Sequence, residues 1–332
     1  MKLLSPKNNE KIDLHTEIQK EWLENKHLPK SGAAPKDWLN LQKEGTDRSF
    51  AANVDFSWED ENNGEYVFEI SEYEDFEDSD IYICRDKHME LANFYIGRKY
   101  FWRVKTAAEC SEVYSFETLP SAPRFLSVGG VSNVRDIGGW NLKGGGKIRQ
   151  GLVIRGGEME IHQNITEQGL DTMNNVLKIK TDLDLRAPDN VSESALGKGK
   201  LLVIESKAYD EFLNDEETAR AVFEVFEREE NYPIYVHCWG GADRTGTVIF
   251  ILEAVLGMKC EDMFCDYELT SLGIWGERSI ESDLFKAFMK KLKTFGEESD
   301  SVNVLCENFL KKIGITDSGI EKMRKILIEK NA

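Results

Sequence analysis

The chain has 332 residues, 41% apolar and 10% aromatic, enough for packed cores in two domains and too many for a disordered polymer. With 60 Asp and Glu against 42 Lys and Arg, the formal net charge is −18. That balance argues against a nucleic-acid or anionic-membrane binder, because both need a basic face.

The N-terminal region reads as mostly β. It is interrupted over residues 13–45, where Leu14, Ile18, Trp22 and Leu23 fall at helical spacing and predict a helical insertion after the first strand. Asn53 to Trp58 alternates apolar and polar, which puts Val54, Phe56 and Trp58 on one face. From Trp58 to Cys84 there are many acidic residues and no Lys or Arg, which reads as a solvated face. A calcium loop would need an Asp-x-Asp-x-Asp-Gly spacing that is missing there. Asn62-Asn63-Gly64 is a turn signal, and Tyr66 to Ile70 is a second alternating strand. Gly97 precedes the strand Tyr100 to Val104, and Val113 to Thr118 closes the region. Short aromatic strands separated by turns predict a β-sandwich over residues 1–122. The early Trp58 strand, the Gly-x-x-Tyr-x-Trp-x-Val run from Gly97 and the closing Phe116-Glu117-Thr118 resemble an immunoglobulin-like, fibronectin type III module.

Leu119-Pro120-Ser121-Ala122-Pro123 stops the last strand and forms a stiff linker. Beyond it, over residues 123–332, the periodicity changes. Short β-rich runs at Gly151–Arg155, Ile179–Leu185, Leu201–Ile204 and Pro233–His237 alternate with helical patterns at 167–176, 216–227, 245–256, 280–292, 303–313 and 320–328. Strands alternating with helices predict an α/β domain, a mostly parallel sheet flanked by helices, with ligands beyond the carboxyl ends of its strands.

One such end carries the chemistry. The strand up to His237 runs into Cys238-Trp239-Gly240-Gly241-Ala242-Asp243-Arg244-Thr245-Gly246, followed by an apolar helix. A tight Gly-bearing loop between Cys238 and Arg244 can wrap its N–H groups around a tetrahedral anion, and the helix adds its positive end. The same field favours a thiolate, whose pKa can fall from ~8.5 into the range ~3.5–7.5. Arg244 offers a planar fork for two phosphate oxygens. These parts predict a phosphomonoester site in which Cys238 attacks phosphorus and a phosphocysteine forms. Thr245 can donate its hydroxyl to the sulfur, and His237 ties the loop and tunes Cys238.

His-Cys-x-x-Gly-x-x-Arg-Thr-Gly resembles the loop of the cysteine-dependent protein tyrosine phosphatase superfamily. Its Asp243-Arg244-Thr245-Gly246 ending resembles the bacterial and fungal tyrosine/serine phosphatase family. Asn133 to Gly139, Ile154-Arg155-Gly156-Gly157, Ile165 to Leu170, Ile179 to Arg186 and Asp266 to Thr270 resemble that family's other segments in the same order. The resemblance implies that Asp243 is the general acid. The wider superfamily implies an alternative, Asp210, on a loop upstream of Cys238. Arg135 and Asp136 are read either as a turn that buttresses the loop or as pocket-facing groups, and Asp184 with Arg186 as a supporting ion pair. The family's loop Lys is Ala242 here, which weakens the case for highly charged inositol phosphates.

The expected reaction is hydrolysis of a phosphorylated protein, foremost phosphotyrosine, or of a small phosphoester, with no metal or cofactor. Dual-specificity or phosphoinositide hydrolysis is the alternative within the class. A non-catalytic phosphate-binding or adhesion protein and a rhodanese-like sulfurtransferase are the alternatives outside it. What the N-terminal module binds is not legible. No stretch reaches the ~18 apolar residues of a membrane helix, and the first residues have no apolar core of a signal peptide. The six cysteines form no Cys-x-x-Cys pair, so neither a zinc site nor a thioredoxin motif is indicated. The expected location is the reducing cytoplasm.

Overall fold

The computed structural model describes residues 1–24, 47–61, 64–190 and 193–330. The chain forms two units, Met1–Thr16 with Ala51–Arg124, and Glu17–Phe50 with Phe125–Ala332. No helix among the described residues is long and apolar enough to cross a membrane.

The first unit holds eight strands: β1 (Lys2–Ser5), β2 (Glu10–Ile12), β3 (Val54–Glu59), β4 (Tyr66–Ser71), β5 (Ser79–Cys84), β6 (His88–Leu91), β7 (Lys99–Lys105) and β8 (Tyr114–Thr118). They form one three-stranded sheet, β1-β3-β6, and one five-stranded sheet, β2-β8-β7-β4-β5. The alternation read from the sequence holds: Val54, Phe56 and Trp58 point inward from β3 while Asp55 and Glu59 are exposed. Both sheets feed one aromatic core, in which Phe56 packs edge-on against Phe68 at 4.9 Å and Trp102 at 5.3 Å. Glu69 breaks the pattern on β4, and β7 supplies its partners: Arg103 Nε donates to it at 2.5 Å and Lys105 Nζ at 2.7 Å. Strands β5 and β6 were hidden in and just after the acidic stretch, where charge masks the period. The Asn62-Asn63 turn lies outside the described residues.

The helix expected within 13–45 is Glu17–Glu24, with Trp22 and Gln19 buried. It groups with the second unit, whereas Leu14 packs in the first unit's core. The reason is visible at its far end: Gln19 Nε2 donates to the carbonyls of Arg48 and Phe50, and the Arg48 N–H donates to Leu272 O. The rest of that insertion, 25–46, lies outside the described residues.

The second unit is built on a six-stranded sheet. Its strands are β9 (Arg124–Phe125), β10 (Arg135–Asp136), β12 (Val153–Gly156), β13 (Thr181–Asp184), β14 (Lys200–Val203) and β15 (Ile234–His237), in the order β14-β13-β15-β12-β10-β9. A small antiparallel pair joins β11 (Lys147–Ile148) to β16 (Ile328–Glu329). The pairs β14/β13, β13/β15 and β15/β12 are parallel, and β12/β10 is antiparallel. Every residue of β12, β13 and β15 is buried, as expected where helices cover both faces. Register sets Gly156, Asp184 and His237 level with one another at the carboxyl edge. The helix Arg244–Leu256 starts there and is buried from Thr245 to its end, because it is apolar on all sides. The predicted helices are present at Glu216–Phe226, Asp283–Leu292, Val302–Lys312 and Asp317–Leu327. Glu167–Asp171 continues into a π-helical turn, Thr172–Val176. The helices Tyr209–Asn214 and Cys260–Leu269 were not read from the sequence.

Candidate active site

The loop 238–243 leaves β15 and ends on the first turn of the helix Arg244–Leu256. Cys238 is 4% exposed at its base. Gly241 has φ +64, and a Cβ there would sit 2.2 Å from Gly156 O, so the turn requires glycine. Three successive loop carbonyls are taken up by the scaffold. Trp239 O accepts Glu158 N–H at 3.0 Å, Gly240 O accepts Asn133 Nδ2 at 2.9 Å, and Gly241 O accepts Arg155 Nη2 at 2.8 Å. In a planar trans peptide the N–H points opposite to the C=O. The N–H groups of Gly240, Gly241 and Ala242 are therefore turned away from these three partners, and none of them meets a protein acceptor among the described residues. This is a set of donors held ready for an anion.

Each anchor is itself buried and held. Glu158 accepts four backbone N–H groups, from Glu160, Ile161, His162 and Gln163, at 2.6–2.8 Å. Burial raises its pKa, but those N–H groups outweigh it and keep it below the usual carboxylate range. Arg135 Nε and Arg155 Nη1 converge on Asp266 at 2.8 and 2.7 Å. Burial and the Asp266 carboxylate push the Glu253 pKa far up. Asn133 Oδ1 accepts Arg135 Nη1 at 2.5 Å, and the Asn133 N–H donates to Ser49 Oγ at 2.8 Å. Arg135 thus supports the loop from beneath. Asp136 holds the N–H groups of Gly138 at 2.8 Å and Gly151 at 2.6 Å.

His237 Nε2 lies 2.8 Å from Asp182 Oδ1, and Nδ1 lies 3.4 Å from Cys238 O. Burial lowers its pKa, but Asp182 and then Asp184 outweigh that and bring it to about 9, so the imidazole is charged at neutral pH. Asp184 takes Arg186 through both oxygens at 2.7–3.0 Å, and Arg186 also bonds Glu160. The Arg186 guanidinium lies 5.0 Å over the Trp239 ring, whose other neighbour is His162 at 4.9 Å. Trp275 lies under the loop, where a Gly240 Cβ would come within 2.7 Å of its ring. The Thr245 hydroxyl is buried and bonds neither Cys238 Sγ nor any other described atom.

Arg244 donates from Nη1 to Leu185 O at 3.3 Å and lines a cleft of about 410 Å³ with Trp239, Glu205, Ser206, Lys207 and Glu211. Asp210 stands on the first turn of its helix and is not among the lining residues. Asp243 is engaged at both oxygens: Arg278 Nε and Nη2 donate at 2.8 and 2.9 Å, and the Tyr209 hydroxyl at 2.5 Å. Burial raises its pKa, and Arg278, Tyr209 and Arg244 together outweigh burial and hold the carboxyl below its usual range. Sequence reasoning did not assign roles to Arg155, Glu158, Asp266 and Arg278. The only local signals were a charge inside an apolar strand, Arg155, and a charge inside an apolar helix, Glu253.

A strand, a donor-lined loop holding one cysteine and one arginine, and a buried helix meet at the carboxyl edge of an α/β sheet, an arrangement that can hold an anion. The chain belongs to the tyrosine phosphatase family, whose profile matches residues 126–329, and it is a phosphatase. A Cupriavidus necator protein named as a "putative tyrosine-protein phosphatase" is 26% identical over 186 residues, 45% of this chain and 67% of that one. Among solved structures, the core catalytic domain of the PP-IP phosphatase SIW14 from S. cerevisiae, in complex with citrate, aligns with 43% of this chain. It is covered over 86% of its own length at 17% identity, with a TM-score of 0.31.

Proposed function

We propose that the protein hydrolyses phosphotyrosine in two steps through phospho-Cys238. In the first, the Cys238 sulfur attacks phosphorus, the bond to the tyrosyl oxygen breaks, and that oxygen takes a proton from Asp243. In the second, water attacks phosphorus, gives its proton to the Asp243 carboxylate, and the P–S bond breaks to release phosphate. Arg244 and the N–H groups of Gly240, Gly241 and Ala242 hold the equatorial oxygens, where charge builds up in both transition states. The observation that carries this reading is the anchoring of three consecutive loop carbonyls outward, which aims the donors before substrate arrives. His237, charged and tied to Asp182, fixes the end of the strand from which Cys238 emerges.

The cleft supports a phosphopeptide over a polyphosphate. Glu205 and Glu211 face Lys207 and Arg244 there, so a ligand with several phosphates lacks matching cations. The six cysteines are all free, which suits a reducing compartment, the cytoplasm, where the nucleophile stays a thiol. The strand order of the first unit, three strands against five around one core, supports reading it as a fibronectin type III-like sandwich that precedes the phosphatase domain. Cys238→Ser tests the mechanism: turnover of phosphotyrosine peptide is expected to vanish while vanadate still binds. Residual hydrolysis above about 1% of wild type would refute a phosphocysteine route, given the ~10⁶-fold losses usual for a missing nucleophile.

A further inference from the structure

Asp243 sits in the middle of a network that the two-step scheme does not use. Both of its oxygens face the Arg278 fork, at 2.8 and 2.9 Å. Oδ1 also accepts the Tyr209 hydroxyl at 2.5 Å, and that hydroxyl lies 2.7 Å from the Tyr267 hydroxyl. Arg278 is fixed in turn by its own loop, since Nη1 donates to Glu277 O at 3.0 Å and Trp275 O at 3.3 Å. Trp275 is the ring that packs beneath Gly240, so the grip on Asp243 and the floor of the loop share one turn. A carboxylate that accepts three hydrogen bonds from strong donors has no proton to give. A group that must deliver a proton to a leaving oxygen has to part from at least one of them.

We propose that Arg278 is the positioning residue for Asp243: its guanidinium clamps the carboxylate in the substrate-free protein and has to release it for proton transfer. This rests on the reading of Asp243 as the general acid. When substrate enters, its phosphate competes for the same cationic surroundings, and Asp243 leaves the fork, takes a proton from solvent water (leaving hydroxide to the buffer) and gives it to the leaving oxygen. The carboxylate so formed returns to Arg278, which stabilises the charge left behind. The charged and titratable groups facing Asp243 are Arg278, Tyr209 and Arg244, with Tyr267 behind Tyr209. Burial raises the Asp243 pKa, and removing Arg278 leaves that effect weakly opposed.

The test is the pH dependence of kcat/KM on phenyl phosphate, a poor leaving group, from about pH 2.5 to 8, since its alkaline limb reports the acid of the free enzyme. In Arg278→Gln that limb is expected to move up by ~1 unit or more, the usual effect of an adjacent Arg on an Asp. The plateau below the limb should drop, because the acid is weaker and less well aimed. Arg278→Lys keeps the charge without the fork and should fall between. Arg278→Gln could also loosen the turn 275–277, so Tyr209→Phe provides a second route: it removes one donor, spares the turn, and should move the limb the same way by less. An alkaline limb unmoved in both Arg278→Gln and Tyr209→Phe overturns the proposal. Asp243→Asn separates this failure from that of the underlying reading. If Asp243→Asn leaves the limb intact, Asp243 is not the acid. If it flattens the limb while the other variants leave it in place, only the role of Arg278 is lost.

Discussion

Asn133→Ala removes the middle anchor of the phosphate loop. The amide is fully buried, and its loss leaves Gly240 O without the bond at 2.9 Å and Arg135 Nη1 without the one at 2.5 Å. A buried polar group left unpaired costs ~1–3 kcal/mol. Asn133 also has φ +63, and Ala in the left-handed region costs a further ~1–2 kcal/mol. A total of about 2–5 kcal/mol corresponds to a fall of roughly 5–15 °C in the melting temperature of a unit this size. Stability alone does not test the argument, so the informative readout is kcat/KM on an aryl phosphate together with vanadate affinity, both at a temperature where the variant is folded. Deleting an oxyanion donor costs ~10²–10³-fold. Here the Gly241 N–H stays but is no longer aimed, so a loss of ~10-fold or more is expected in both quantities. Asn303→Ala is the control: its Nδ2 holds Ala254 O at 2.7 Å and Met258 O at 2.9 Å at the far end of the helix, and it should cost stability without touching the loop. Values for Asn133→Ala within about twofold of wild type would refute the idea that outward carbonyls aim the N–H groups.

Three further outcomes follow from the geometry. His237 has its pKa raised to about 9 from an ordinary 6.5, so its ion pair stabilises fully below the lower value and is lost as pH rises through about 9. By linkage this is worth about 3 kcal/mol, so denaturant midpoints should fall between pH ~7 and ~10, and Asp182→Asn should flatten that slope. Arg244→Lys keeps a charge and loses the fork, so both vanadate affinity and kcat/KM should fall by ~10-fold or more; a variant within about threefold of wild type would refute a bidentate clamp. Removing residues 1–122 should give an insoluble or impaired phosphatase, because Ser49, which holds Asn133, goes with them. Replacing only 1–16 and 51–124 by a flexible linker should preserve aryl phosphate turnover, and full activity after removal of all of 1–122 would contradict the grouping of 17–50.

The loop itself was legible because its demands fall on neighbouring positions: a cysteine, two glycines and an arginine within ten residues. The strands were legible where one face is apolar, as at Val54, Phe56 and Trp58. Where both faces are buried, as in β15, the hydrophobic run Ile234-Tyr235-Val236 marked the strand but not its partners. The supporting groups were less accessible for a physical reason. Arg135, Arg155 and Asp266 meet only through the fold, across more than a hundred residues of chain. Arg278 lies in a polar loop with no period, where a lone arginine looks like any solvated one. Asp136 was read together with Arg135 because they are adjacent, yet adjacent strand residues point to opposite sides, and only Arg135 turns toward Asp266. Asp210 was weighed by its distance from Cys238 along the chain, whereas the cleft is lined by its neighbours Ala208 and Glu211.

The chain passes between its two units three times, since Glu17–Phe50 belongs with Phe125–Ala332 while the residues on either side of it do not. This orders events on the ribosome. Once Arg124 has emerged, the first unit has all of its strands and can close. The segment 17–50, synthesised much earlier, still lacks Asn133 and Leu272, to which Ser49 and Arg48 bond. At ~5–20 residues per second, residues 125–332 take roughly 10–40 s more to appear. During that time the Ser49 hydroxyl waits without the Asn133 N–H that it later accepts. The nascent chain is therefore most exposed to aggregation after its first unit is complete, and the phosphate loop gains the full support of Asn133 only when that early segment is finally recruited.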